Sequence, residues 1–194
     1  MKLGHFALIA VFAVLGLGAT ATAAPAKKKF HFELTAVTPK AEVKAEVAKM
    51  AVPRVEAQVK KAFASDPQLV AVLDGAPDKS QGDAYRKFLV KKGLSGSFLV
   101  TVEITEASEE TQPMEGKPNS QRLVIHVALH MLGEIIPDRT MGFTGDGQAT
   151  VKIELGVKIR DKDREYSWDQ AAEAAVADAM KTVFKQLQVP LKKP

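Results

Sequence analysis

The chain has 194 residues, no cysteine, and a formal charge of +4 from 27 basic and 23 acidic side chains. Without cysteine there is no disulfide framework, no thiolate metal site and no cysteine nucleophile, so stability must come from a packed core. A charge this mild falls short of the concentrated basic face that nucleic-acid binding requires, and none is expected.

The N-terminus carries a single early base, Lys2, then an uncharged apolar run from Phe6 to Gly18, then Ala21-Thr22-Ala23. A positive start, a short apolar core and small residues at the positions a signal peptidase reads make a secretory signal peptide. A spanning helix needs about 20 apolar residues, more than this run holds. Residues 1–23 are therefore expected to be removed after Ala23. That takes away one lysine and no acid, so the charge falls from +4 to +3. Residues 24–194 are expected to form one periplasmic or secreted domain with short basic ends and no transmembrane span. A chain of about 170 residues buries roughly two-thirds of its unfolded surface, enough for a single core. Lys27, Lys28 and Lys29 offer at most a weak contact with an anionic surface, since chain ends are usually solvated.

The element pattern follows in chain order. In "FHFELTAV", residues 30–37, Phe30, Phe32, Leu34 and Ala36 alternate with His31, Glu33 and Thr35. That alternation predicts a half-buried strand. Thr38 and Pro39 then suit the N-cap and first position of a helix. Its stripe is Val43, Val47 and Met50, with Pro53 expected to kink or break it before Val55, Val59 and Phe63 resume the stripe. "QLVAVL", 68–73, reads as a short buried strand, and 84–92 as a helix carrying Tyr85, Phe88 and Leu89. Three clear strands come next, with inward faces Phe98-Val100-Val102-Ile104, Leu123-Ile125-Val127-Leu129 and Val151-Ile153-Leu155-Val157-Ile159. Clean alternation is the usual antiparallel pattern, with one face on a core and one in water. Ser167 with Gln170 forms a capping box for a last helix to Gln188, striped by Ala172, Val176, Ala179, Val183 and Leu187. The order predicts an α+β two-layer sandwich of about five mostly antiparallel strands with three helices packed on one face. Val102, Ile125, Val127, Ile153 and Leu155 are its expected core.

Four stretches tempt a functional reading. "GFTGDGQATV", 142–151, has the glycines of a phosphate loop, but a strand follows where a helix N-terminus would be needed. Its odd positions continue the inward face through Gly145 and Gly147, so these glycines mark a bulge, a bend or the close approach of another backbone. "GLSGS", 93–97, nearly matches a nucleophile elbow, but ends in Ser97 and runs from helix to strand. A helix C-cap at Gly93 explains it. "DKDRE", 161–165, fails as a calcium loop, because Tyr166 and Ala172 stand where glycine and an acid are required. It reads as a solvated turn. His126 and His130 share a strand face, but lie roughly 13 Å apart at about 3.3 Å per residue, too far to share a metal. Glu103, if brought near them, would make a weak acid/base constellation. No metal, cofactor or catalytic set is assigned. Glu103, His126, His130, Lys152 and Lys158 are the residues expected on a partner-facing sheet surface.

"YRKFLVKKGLSGSFLVTVEITEA", 85–107, runs from helix into strand, and "AAEAAVADAMKTVFKQL", 171–187, closes the chain. In these stretches the chain resembles bacterial envelope α+β modules of the curli-secretion and penicillin-binding-protein-activator lipoprotein type, and the N-terminal domain of the Tol periplasmic protein. Around "PDRTMGFTGDGQATV", 137–151, it is similar to uncharacterised exported proteins of myxobacteria. The lipid-bearing cysteine of those lipoproteins is absent from this chain. The resemblance implies a non-catalytic module that binds an envelope protein. A small-ligand carrier, or an enzyme using the polar sheet face, is the second reading. N-terminal sequencing of the exported species is expected to begin at Ala24; recovery of intact Met1 in membranes would overturn the localisation.

Overall fold

The computed structural model describes residues 28–188. The expected signal peptide, residues 1–23, lies outside the described residues, as do Lys27, Lys192 and Lys193. In chain order the elements are β1 (Lys29–Pro39), α1 (Ala45–Ser65), β2 (Leu69–Val70), α2 (Gly82–Lys91), β3 (Leu94–Pro113), β4 (Ser120–Ile135), β5 (Met141–Gly156) and α3 (Asp161–Gln188). The five strands form one sheet in the order β2-β1-β3-β4-β5. β1 pairs in parallel with both its neighbours, while the long β3–β4 and β4–β5 ladders are antiparallel. The α+β class and the element order are those read from the sequence.

Alternation sends one side chain in two to a single core. Phe30 and Phe32 of β1, Phe98 to Ile104 of β3, and Leu123 to Leu129 of β4 meet Val55, Val59 and Phe63 of α1 there. Trp168, Ala175, Ala179 and Val183 of α3 complete it. Phe32 sits edge-on to Phe63 and Phe98, with ring centroids 5.3 and 5.6 Å away.

α2 departs from the expected arrangement. Its Tyr85 and Leu89 pack with Leu94 and Ile136 in a second, smaller cluster. Tyr85 bonds Ser97, whose neighbour Phe98 points into the main core. Since adjacent strand residues face opposite sides, α2 lies on the other face of the sheet, at one end. Two helices, not three, share the core face.

Other boundaries also moved. Thr38 and Pro39 do not start a helix; β1 runs through them because Glu103 and Ile104 of β3 supply pairing partners. α1 passes through Pro53 unbroken. Pro53 is on the exposed side of α1, and burial of Ala51, Val55 and Val59 around it offsets the missing hydrogen bond. β2 is only two residues long and half-buried, since it borders the sheet edge and Val72 already faces solvent. α3 begins at Asp161, so "DKDRE" is its first turn and not a solvated turn before it. Asp161 and Asp163 there complement the helix dipole. Ser167 is not a cap: it is buried inside the helix and donates its hydroxyl to the Asp163 carbonyl at 2.7 Å.

α3 crosses the sheet on a diagonal. Near its start, Arg164 and Trp168 bond the Glu109 carboxylate of β3, at 2.7 and 2.8 Å. Near its end, Val183 lies against Gly145 of β5, and Gln186 accepts the Thr144 N–H. The far half of β5 is only partly covered: its Val151, Ile153 and Leu155 pack against the margin of the core. Val102, Ile125 and Val127 are fully buried as expected, but Ile153 and Leu155 are only half-buried. The glycines are also explained differently from a strand bend. Neither Gly145 nor Gly147 has the positive φ seen at Gly75, Gly93 and Gly116. A Cβ on Gly147 would instead stand 2.1 Å from the Ala175 carbonyl oxygen of α3. These glycines serve close backbone approach. Gly93, with φ of 69°, ends α2 as the C-cap reading required.

Chemical denaturation tests this arrangement. Ile125→Ala is expected to cost about 2–5 kcal/mol, the range for emptying a buried aliphatic site, and Ile153→Ala distinctly less. Gly147→Ala is expected to cost about 1–3 kcal/mol through overpacking. A neutral Gly147→Ala would contradict the close approach.

Candidate functional site

The face of the sheet turned away from α1 and α3 carries the candidate site. β3 and β4 alternate in step until a bulge between Ile104 and Glu106. Before the bulge the odd residues of β3 face outward; after it the even ones do, which keeps Glu103, Glu106 and Ser108 on one face. The β4 residues opposite them are His130, Ala128 and His126, and the β5 residues beyond are Asp146, Gln148 and Thr150. Two polar rows therefore cross three strands, Glu103–His130–Asp146 and Ser108–His126–Thr150.

The contacts within the rows are specific. His130 Nδ1 lies 2.5 Å from Asp146 Oδ1. His126 Nδ1 lies 2.9 Å from Thr150 Oγ1, and its Nε2 is 3.5 Å from a Glu106 carboxylate oxygen. Lys40, just beyond β1, reaches Glu103 at 3.9 Å. Both imidazoles are about a quarter exposed, so each is held by its neighbours while one side stays open to water. Lys152 belongs to the same face, on β5 opposite Val124. Lys158 does not: it sits in the bend after β5. The structure thus brings together Glu103 and His130, sets His126 one row away with Lys152 farther along β5, and leaves Lys158 off the sheet. Among the described residues no group of three or more histidines and acids is placed to hold a metal ion.

A second feature escaped the sequence reading. Alternation put His31 on the watery face, but it is only 5 % exposed because α2 covers that end of the sheet. Its Nδ1 is 2.7 Å from Ser97 Oγ, which is 3.0 Å from the Tyr85 hydroxyl. Nothing in the sequence joins positions 31, 85 and 97; only the β1–β3 register, which pairs His31 with Ser97, does so. Burial pushes the His31 imidazole below its ordinary range, against the upward pull of Glu33; Lys79 pushes it further down. A neutral ring with its proton on Nε2 lets Nδ1 accept from Ser97, whose oxygen then accepts from Tyr85. Ser97 is wholly enclosed, so no reacting atom can approach its oxygen. His31 and Tyr85 do line an open cleft of about 580 Å³ between β1 and the 71–79 loop. Glu33 and Lys79 form an ion pair of 2.6 Å at its side.

No family model matches this chain, and no curated protein matches it in sequence. Several solved structures align with most of this chain. A Xanthomonas campestris protein of the DUF330 family aligns over 84% of this chain and 91% of its own, at 9% identity and a TM-score of 0.44. Rare lipoprotein B from Shewanella oneidensis covers 81% of this chain and all of its own length, at 10% identity and a TM-score of 0.41. A minor lipoprotein from Acinetobacter baumannii covers 86% and 97%, at 14% identity and a TM-score of 0.39. Two of these three are bacterial lipoproteins by name, and the likeness is one of outline.

The buried histidine makes a pH prediction. A folded-state value below the ordinary 6.5 means the unfolded chain binds the proton more readily. The stability tied to the neutral ring is therefore complete above pH 6.5 and is lost as the pH falls below it. The denaturation midpoint is expected to drop on acidification through that window, and less steeply in His31→Gln. Equal slopes in the two proteins would show that His31 is not held neutral by the fold. Ser97→Ala, which strips partners from His31 and Tyr85, is expected to cost about 1–3 kcal/mol.

Proposed function

We propose that this protein is a non-catalytic, exported cell-envelope module that binds another protein through the outer face of its sheet. One observation carries the reading: two polar rows, with His126 and His130 at their centre, cross β3, β4 and β5 on a face that α1 and α3 leave uncovered. Among the described residues no helix is long and apolar enough to cross a membrane. The signal-like residues 1–23 support delivery to the periplasm or beyond. The likeness read in the sequence to curli-secretion, penicillin-binding-protein-activator and Tol-type modules belongs to the same reading, as assembly partners. Lys27, Lys28 and Lys29 would add only a weak anionic-surface contact.

The second reading, a small-ligand carrier, is favoured by the cleft beside His31 and Tyr85. Photo-crosslinking in the native cell separates the two. A crosslinker placed at position 126 or 130 is expected to trap a discrete protein adduct, and one at the exposed Val90 of α2 is not. Equal capture from all three positions, or none from 126 and 130, would overturn the sheet-face reading. Thermal stabilisation by a small molecule, lost in Tyr85→Ala, would support the cleft instead.

A further inference from the structure

The sheet has an open edge whose sequence is complementary to itself. β5 is an outer strand, with β4 on one side only. The backbone groups of its even residues point outward. α3 satisfies the first of them: Thr144 N–H donates to Gln186, Gln148 N–H to Asp178, and the Asp146 carbonyl accepts from Thr182. The β4–β5 register has no irregularity from Phe143 to Gly156, so the same parity holds to the strand's end. There the Arg164 and Trp168 side chains of α3 reach across to Glu109 of β3, and the outward groups of Thr150, Lys152 and Glu154 meet no side chain of α3 among the described residues. A Cβ built on Gly156 would touch nothing within 4 Å.

We propose that this edge, Thr150–Gly156, pairs with the same edge of a second copy of the chain, antiparallel about a two-fold axis at Ile153. Such an axis sets Lys152 opposite the partner's Glu154, and Glu154 opposite the partner's Lys152. Ile153 meets the partner's Ile153, and Val151 meets the partner's Leu155. Even residues then form the hydrogen-bonded pairs and odd residues the closer, non-bonded pairs, as the outward parity demands. Charge selects this register. An axis at Lys152 or Glu154 puts like charges face to face, which is unfavourable directly across strands. An axis at Val151 sets Glu154 opposite the partner's Gln148, whose N–H is already taken by Asp178. An axis between residues would oppose outward groups with inward ones. Lys152 has no ion-pair partner within its own chain among the described residues. Glu154 holds Lys117 at 2.9 Å and Arg122 at 3.7 Å and keeps half its side-chain surface exposed. Val151, Ile153 and Leu155, half-buried at the margin of the core, gain further cover from their counterparts, and two five-stranded sheets become one.

An unpaired edge is a template for added strands, and sedimentation of the purified protein over a range of concentrations tests whether this one is used. A monomer–dimer equilibrium is expected for the wild type. Lys152→Glu and Glu154→Lys each create like-charge pairs and are expected to weaken it by at least about tenfold. The double swap Lys152→Glu/Glu154→Lys restores opposite charges and is expected to restore the dimer. Thr150→Pro removes one outward N–H, a change edge strands tolerate, and is expected to leave the circular dichroism spectrum intact while abolishing the dimer. Because the chain has no cysteine, Ile153→Cys is expected to oxidise to a linked dimer, the partner Cα lying about 4.5 Å away in a non-bonded pair. A wild type that stays monomeric, single charge reversals without effect, or a double swap that fails to recover would each overturn the proposal. Sedimentation reads self-association alone; capture of a different protein by the outer face is read separately, with the crosslinkers at positions 126 and 130 in the otherwise wild-type chain.

Discussion

The approach of α3 to β5 is the contact on which the rest of the molecule depends. The Ala175 carbonyl and the Ala179 amide lie so close to Gly147 that no side chain fits between helix and strand. Ala171, Ala172, Ala175 and Ala179 are fully buried, so the helix presents backbone and methyl groups to the sheet. That low seating brings Val183 and Trp168 into the core and lets Gln186 and Asp178 reach the first outward amides of β5. At the other end Glu109 binds both Arg164 and Trp168, which fixes where the helix begins its crossing. Two anchors on different strands make the crossing oblique, and an oblique helix cannot protect the whole of an edge strand.

The outer face has a different character. Its ion pairs, Lys40 with Glu103 and Lys117 with Glu154, are solvated at both ends. Pairs of that kind contribute little to stability, roughly 0–1 kcal/mol each. They can be exchanged for pairs with another molecule at small cost. The core face gains its stability from apolar burial; the outer face keeps polar groups in order without depending on them.

The strands of the meander were legible because their period of two is long and clean. Val100 to Ile104 and Leu123 to Leu129 faced inward as alternation required. What alternation cannot show is a change of phase: the bulge after Ile104 turns Glu109 toward the core side, and no residue there announces it. Helix starts failed for a related reason. Thr38-Pro39 and Ser167-Gln170 are good local caps, but the partner strand extends β1 in one case and the Asp161 turn precedes the other. Glu103 beside His130 could be guessed from neighbouring strands. The enclosure of His31 could not, since it rests on a short helix crossing to the second face.

The parallel seating of β1 has a consequence for the order of assembly. β1 is the first described strand to be made, yet it ends in the interior of the sheet, between β2 and β3. Phe30 has its partners at Leu69 and Gly96, both far downstream. As the chain emerges from its N-terminus, α1 can shelter Phe32 early through Phe63, but neither hydrogen-bonding edge of β1 can close until those later segments exist. Contacts so distant in sequence form slowly, whereas β3, β4 and β5 need only short connections. The meander with α3 is therefore expected to assemble as a local unit, and β1 to enter as the piece that joins the two ends of the chain.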